Sequence, residues 1–122
     1  MATVDITAET FEETIENNDI VVVDFWADWC GPCKSFAPVY EEVSNEYDDI
    51  VFGKIDTEAQ QELAAHFQIR SIPTLMIFRE KVVLFSQAGM LSAPQLKEVV
   101  SKVQELDMAT VHAEVAKQQA AE

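Results

Sequence analysis

The sequence predicts an α/β fold in which a central sheet carries helices on both faces. Strand-like and helix-like segments alternate along most of the 122 residues, which is the order expected of such a sheet. Residues 19–27 form a nearly continuous apolar run of β-branched and aromatic side chains, which favours a strand buried on both faces. After position 33, apolar residues recur at spacings of three and four, which is typical of one face of a helix. A chain of this length can bury a core by itself, so we expect one domain.

The first half of the chain is predicted to contain two helices and one or two strands. A short strand near residues 4–6 precedes a helix over 10–16 and the buried strand over 19–27. The second helix follows the cysteines, and we expect a kink near Pro38 because proline removes a backbone hydrogen bond. Its apolar face is formed by Phe36, Val39, Tyr40, Val43 and Tyr47.

The second half is predicted to continue the alternation and to end in a hairpin and a helix. Residues 50–56 have the composition of a second central strand, and residues 57–67 are rich in helix formers. Two strands over 74–78 and 82–89 are joined by three residues, a length that suits a hairpin. A helix over 92–106 has good start signals in its initial Ser and its early Pro.

The segment 108–122 is predicted to be a helical extension beyond a domain over 1–107. It is rich in Ala, Gln, Glu and Lys, and its apolar residues Met108, Val111 and Val115 fall at helical spacing. A surface-packed tail is the favoured interpretation. A small docking or dimerisation element is the alternative.

The charge balance argues against several kinds of partner. The chain has 22 Asp and Glu against 8 Lys and Arg, a formal charge of −14. Surfaces that bind nucleic acid or anionic lipid need cationic side chains, so neither partner is expected. No secretory signal is visible, and no apolar run approaches the roughly 20 residues of a membrane span. We therefore expect a cytosolic protein, where a cysteine pair is more often catalytic or metal-binding than structural.

The only two cysteines of the chain lie in the segment WCGPC at residues 29–33. Because this segment follows a buried strand and opens a helix, free N–H groups and the helix dipole would stabilise a thiolate there. We expect Cys30 at or just before the first helical turn, exposed to solvent, with Cys33 one turn further on. Gly31 is permissive and Pro32 fixes φ near the helical value, so both help to set the turn.

Three interpretations of the cysteine pair can be compared. A zinc site normally needs about four ligands, and His66 and His112 are distant and unmatched in spacing. A structural disulfide across so short a loop would constrain the unfolded chain little. A redox-active dithiol is therefore favoured over both, and we expect no metal.

Four segments of the chain resemble thioredoxins, in the order and at the spacing of that family. They are VDFWADWCGPCK at 23–34, GKID at 53–56, IRSIPTLMIF at 69–78 and AGMLSAPQL at 88–96. The resemblance covers roughly residues 3–106. It implies a thioredoxin fold, with a central mixed five-stranded sheet flanked by four helices, to which the extra C-terminal helical segment is added.

The resemblance also implies a function. The chain would be a thiol–disulfide oxidoreductase, a monomeric electron carrier that reduces disulfide-containing client proteins in the cytosol. It would bind no cofactor and would receive electrons from NADPH through a thioredoxin reductase. Pro32 lies where oxidising relatives usually carry His, which points to a reductant. A binding module in a larger complex, with incidental redox activity, is the alternative.

Five residues match the catalytic positions of the family. Cys30 matches the attacking nucleophile, and Cys33 matches the resolving cysteine. Asp24 matches a buried acid that takes the proton from Cys33; burial would raise its pKa, whereas a solvent-facing Asp at a strand edge is the plainer alternative. Lys54 matches the lysine that pairs with this acid in the interior. Pro73 matches a cis proline that packs against the disulfide.

The resemblance further implies an apolar docking patch around the nucleophile. In this patch the backbone of Ile72 would hydrogen-bond an extended client segment, as an added strand does. Trp26 is expected to pack beneath the site. The docking patch comprises Trp29, Gly31, Pro32, Ile72, Pro73, Ala88, Gly89 and Met90.

Overall fold

A computed structural model of the chain describes residues 3–121 and contains, in that range, five strands and five helices. The strands are β1 (Thr3–Asp5), β2 (Ile20–Trp26), β3 (Val51–Asp56), β4 (Thr74–Arg79) and β5 (Val82–Ala88). The helices are α1 (Phe11–Asn17), α2 (Gly31–Ser44), α3 (Gln61–His66), α4 (Ala93–Glu105) and α5 (Met108–Ala121).

The strands form one mixed sheet in the order β1-β3-β2-β4-β5. β1, β3 and β2 run parallel, whereas β4 pairs with β2 and β5 in antiparallel fashion. The predicted mixed five-stranded sheet with a final hairpin is therefore confirmed.

The central strand β2 is buried on both faces, as its apolar run predicts. Ile20 and Val22 belong to a core cluster that also contains residues of α2 and α4. Val21, Val23 and Phe25 point to the opposite face and pack in a second cluster with Ile15 of α1. Alternate residues of one strand thus anchor both layers of helices, which fixes β2 in the middle of the molecule.

Helix α2 is fixed on the sheet by a buried tyrosine. Tyr40 is fully buried, and its hydroxyl lies 2.7 Å from the carbonyl oxygen of Gly53 and 3.1 Å from that of Val22. This phenol therefore holds α2 over the junction of β2 and β3. The helix includes Pro38, and the kink expected there stays a prediction.

Helix α3 is shorter than the sequence predicts. The expected helix over 57–67 begins only at Gln61, because the Asp56 carboxylate accepts the N–H groups of Glu58 at 2.9 Å and Ala59 at 3.3 Å. Such local side-chain bonds offer the backbone an alternative to the first helical turn.

The hairpin between β4 and β5 turns on Glu80 and Lys81, whose positive φ angles of 50° and 71° are the feature of a type I′ turn.

The two C-terminal helices are separate because side chains cap the end of α4 and the start of α5. The Arg79 Nη1 lies within 3.2 Å of the carbonyl oxygens of Val103, Gln104 and Leu106, at the end of α4. The Asp107 carboxylate then accepts the N–H of Ala109 at 3.1 Å and starts α5. The predicted helical extension is confirmed as a helix of its own.

Helix α5 is held at its start and along its first turns. Met108 is buried, and His112 Nε2 lies 2.8 Å from Glu80 Oε1 at the tip of the hairpin. Within residues 3–121, none of the helices combines the length and the apolar character needed to cross a membrane.

Gly53 supplies a test of how tightly β3 fits against the N-terminal segment. A Cβ at this position would lie 2.9 Å from Cγ1 of Ile6, which is itself only 2% exposed. We expect Gly53→Ala to lower the free energy of unfolding by about 1–3 kcal/mol, because the buried side chain must move. Urea denaturation measures this difference.

Gly31→Ala is the matched control for the same experiment. A Cβ on Gly31 meets no atom within 4 Å, so this variant should lose no stability. Equal losses in the two variants would show that the contact with Ile6 is not the cause.

Candidate active site

The two cysteines lie at the start of α2, and three residues separate Cys30 from the end of β2. They form a disulfide with a Cα–Cα distance of 5.2 Å. Cys30 is the N-cap residue of α2, and its Sγ accepts the N–H of Cys33 at 3.2 Å. Once the disulfide is reduced, this N–H and the positive end of the helix dipole would stabilise a thiolate on Cys30. The predicted position of the pair at the first helical turn is confirmed.

The expected exposure of Cys30 is wrong. Cys30 is 4% exposed and Cys33 is 3% exposed. The Sγ of Cys30 lies 3.6 Å from the carbonyl oxygen of Ile72, so the segment before β4 lies against the sulfur. A partner that reacts with the Cys30 sulfur must therefore contact the surface residues that surround it.

Asp24 is a buried acid in the middle of the sheet, and the alternative of a solvent-facing strand edge is wrong. It is 1% exposed and lies in register with Lys54 on β3 and Leu75 on β4. Among residues 3–121, neither of its carboxylate oxygens has a hydrogen-bond partner. Burial raises the pKa of Asp24 from its ordinary 3.8 to about 7, although the positive charge of Lys54 opposes the rise.

Lys54 is close to Asp24 in register but forms no ion pair with it in the described part of the chain. Its Nζ lies 4.9 Å from the centroid of the Trp26 ring, a cation–π contact. Lys54 therefore lowers the pKa of Asp24 through its positive charge, without direct contact between the two charged groups.

A small cavity joins the inner cysteine to this charged region. It has a volume of about 100 Å³, enough for several water molecules. Cys33, Trp26 and Lys54 all contribute to its wall, together with Ala27, Asp28, Lys34 and Ala37. The expected place of Trp26 beneath the site agrees with this arrangement.

The predicted docking patch is brought together by the loop before β4 and the end of β5. The Ile72–Pro73 peptide bond is cis, as the resemblance implies. Gly89, with a φ of 99°, donates its N–H to the carbonyl oxygen of Pro73 at 2.8 Å. Thr74 pairs with Ala88, which places the end of β5 beside the same loop.

Most members of the docking patch are exposed to solvent. Trp29 is 69% exposed and Met90 is 43% exposed, although both are large apolar side chains. Gly31, Pro32, Ala88 and Gly89 are also exposed, whereas Ile72 is half-buried and Pro73 is buried. An exposed apolar surface beside a reactive group is the kind of surface that binds a partner.

Sequence reasoning missed Glu58. Its Oε1 accepts the indole N–H of Trp29 at 2.9 Å and so orients the largest exposed side chain of the docking patch. The two residues are 29 positions apart, and an exposed Glu on a turn has no sequence signal that distinguishes it from other surface acids.

The histidines take no part in this site. His66 stacks edge-on against Phe67 at 4.8 Å between centroids, and His112 contacts Glu80. Across residues 3–121, no three His, Cys, Asp or Glu side chains are arranged to hold a metal ion.

Comparisons with known proteins agree with this geometry. A family model for thioredoxin matches residues 2–104. A Streptomyces coelicolor protein designated thioredoxin 2 is 53% identical over 119 residues, which cover 98% of this chain and 89% of the relative. The thioredoxin of Buchnera aphidicola from Acyrthosiphon pisum is 41% identical over 101 residues, which cover 81% of this chain and 94% of the relative.

Solved structures show the same relationship. The structure of Plasmodium falciparum thioredoxin superimposes with a TM-score of 0.75 at 34% identity and covers 82% of this chain and 97% of its own. The match of the family model over most of the sequence, the relatives and the Cys30–Cys33 pair at the start of α2 lead to one conclusion. This chain belongs to the thioredoxin family and is a thiol–disulfide oxidoreductase.

Proposed function

We propose that the chain is a cytosolic protein-disulfide reductase that cycles Cys30 and Cys33 between dithiol and disulfide. Its clients would be proteins with accessible disulfides, and a thioredoxin reductase would restore the dithiol with electrons from NADPH. The protein would act as a monomer, with residues 1–107 as the redox domain and 108–122 as an extension. The observation that carries this proposal is the position of Cys30 at the N-cap of α2, where its Sγ accepts the N–H of Cys33.

The first step of the proposed cycle belongs to Cys30. Its thiolate attacks one sulfur of the client disulfide, so the client S–S bond breaks as a mixed disulfide forms. The other client sulfur leaves as a thiolate. Since the Ile72 carbonyl oxygen lies 3.6 Å from Cys30 Sγ, a client segment that pairs with the Ile72 backbone would hold its disulfide close to the nucleophile.

The second step belongs to Cys33 and Asp24. The thiol of Cys33 must lose its proton before its sulfur attacks Cys30, releases the reduced client and closes the internal disulfide. Asp24, with a pKa raised by burial to about 7, can accept that proton at neutral pH. Lys54 would keep the pKa of this acid from rising further, because its positive charge favours the carboxylate.

Replacement of both cysteines by serine tests the proposal. In an assay with NADPH, a bacterial thioredoxin reductase and insulin, the parent protein should reduce insulin disulfides and consume NADPH. The variant Cys30→Ser/Cys33→Ser should show no such activity, because it has no sulfur to carry electrons. A parent protein that fails in this assay would contradict the proposal, and a cellular function that survives in the double variant would favour the binding-module alternative.

Asp24→Asn tests the assigned role of the buried acid. Asparagine cannot take the proton of Cys33, so resolution should slow by about 10-fold or more while the first attack by Cys30 changes little. In single-turnover reactions with insulin, rapid acid quenching should then trap the mixed disulfide through Cys30. The control Asp5→Asn removes an exposed carboxylate on β1 and should resolve at the parent rate. If no mixed disulfide accumulates in Asp24→Asn, the assigned role is wrong.

The same variant should also change how stability depends on pH. Because the pKa of Asp24 is about 7 in the folded protein against 3.8 ordinarily, its contribution to stability is complete below pH 3.8 and is lost as pH rises through 7. Asparagine does not ionise, so the advantage of Asp24→Asn in free energy of unfolding should be near zero around pH 4 and about 4 kcal/mol at pH 8. Urea denaturation of the disulfide forms at several pH values measures this. A difference that does not change with pH would show that burial does not perturb the acid.

A further inference from the structure

The three methionines between residues 3 and 121 differ sharply in exposure. Met76 is 5% exposed within β4, and Met108 is 7% exposed at the start of α5. Met90 is 43% exposed. Because oxidation of a thioether requires that an oxidant reach the sulfur, Met90 is the most vulnerable of these three.

Met90 also lies at the edge of the docking patch. It follows Gly89, whose N–H is bonded to the carbonyl oxygen of Pro73 at 2.8 Å. Pro73 is joined to Ile72, whose own carbonyl oxygen lies 3.6 Å from Cys30 Sγ. Two short contacts thus connect the backbone beside Met90 to the Cys30 sulfur, so Met90 belongs to the surface that surrounds this sulfur.

We propose that Met90 is a modification site at which peroxides weaken the docking of protein clients. Hydrogen peroxide transfers one oxygen atom to Sδ of Met90; the thioether is oxidised by two electrons to the sulfoxide, and the peroxide is reduced to water. The sulfoxide is polar and accepts hydrogen bonds, whereas the thioether is apolar and flexible. Covering this oxygen with an apolar client surface removes its contact with water, so binding weakens.

The modification leaves the dithiol chemistry intact. In the disulfide state both cysteines are nearly inaccessible, whereas Met90 is open to small oxidants. A sulfoxide reductase that draws on a dithiol would restore the thioether, with the oxygen leaving as water. This inference rests on the proposed function, because it concerns the surface over which a client protein would reach Cys30.

The first measurement is the order in which the methionines oxidise. The full chain in its disulfide form is treated with hydrogen peroxide, and each peptide is followed by mass spectrometry. Met90 should gain oxygen at least about 5-fold faster than Met76 and Met108, in line with their exposure. Oxidation of Met90 no faster than that of the two buried methionines would overturn the proposal.

The second measurement separates docking from chemistry. The treated protein is reduced with dithiothreitol, freed of reagent, and reacted with insulin or with a small aromatic disulfide. Oxidation should lower the rate with insulin by about 5-fold, the cost of burying a polar group, and should change the rate with the small disulfide by less than about 2-fold. Equal losses on both substrates, or no loss on insulin, would overturn the proposal.

Two variants complete the test. Met90→Leu has no sulfur at this position, so its treated and untreated forms should reduce insulin at the same rate. Met108→Leu keeps Met90 and should respond to peroxide as the parent does. If Met90→Leu is as sensitive as the parent, the modification acts elsewhere and the proposal is wrong. If untreated parent protein does not reduce insulin at all, the proposed function fails, whereas the order of methionine oxidation remains a separate result.

Discussion

The structure depends on one strand that is buried on both faces. Consecutive residues of β2 point alternately into the two core clusters, so the strand cannot move without disturbing both layers of helices. Its end is therefore fixed, and Cys30, the N-cap of α2, lies four residues beyond its last residue, Trp26. The sulfur of Cys30 is thus held in a constant position next to the N–H of Cys33 and the start of α2, whichever partner approaches.

The same strand carries a residue that works against its stability. Asp24 has no hydrogen-bond partner among the described residues, and its pKa rises to about 7 because burial disfavours the charged form. An apolar residue would suit this position better for packing alone. In the proposed cycle this cost serves chemistry, since a carboxyl group that titrates near neutral pH can exchange a proton with a buried thiol. A buried group that lowers stability is expected where function competes with folding.

The surface around the disulfide controls access. Ile72 lies against Cys30, and Trp29 and Met90 are large exposed apolar side chains of the docking patch. Glu58 orients the indole of Trp29 from a turn that is itself shaped by Asp56. The docking patch therefore draws on several elements: the start of α2, the loop before β4 and the end of β5.

The sequence by itself determined most of the sheet and the position of the cysteines at the start of α2, because apolar periodicity and family motifs are local signals. It favoured a buried Asp24 but left a solvent-facing strand edge open, which the structure excludes. It overestimated α3, since the Asp56 side chain competes for the N–H groups of its first turn. Only the tertiary structure decided that Cys30 is covered, that Lys54 lies over Trp26 instead of pairing with Asp24, and that Glu58 reaches Trp29. Each of these contacts joins residues distant in sequence, and their geometry follows from how β2, β3 and the loop before β4 pack together.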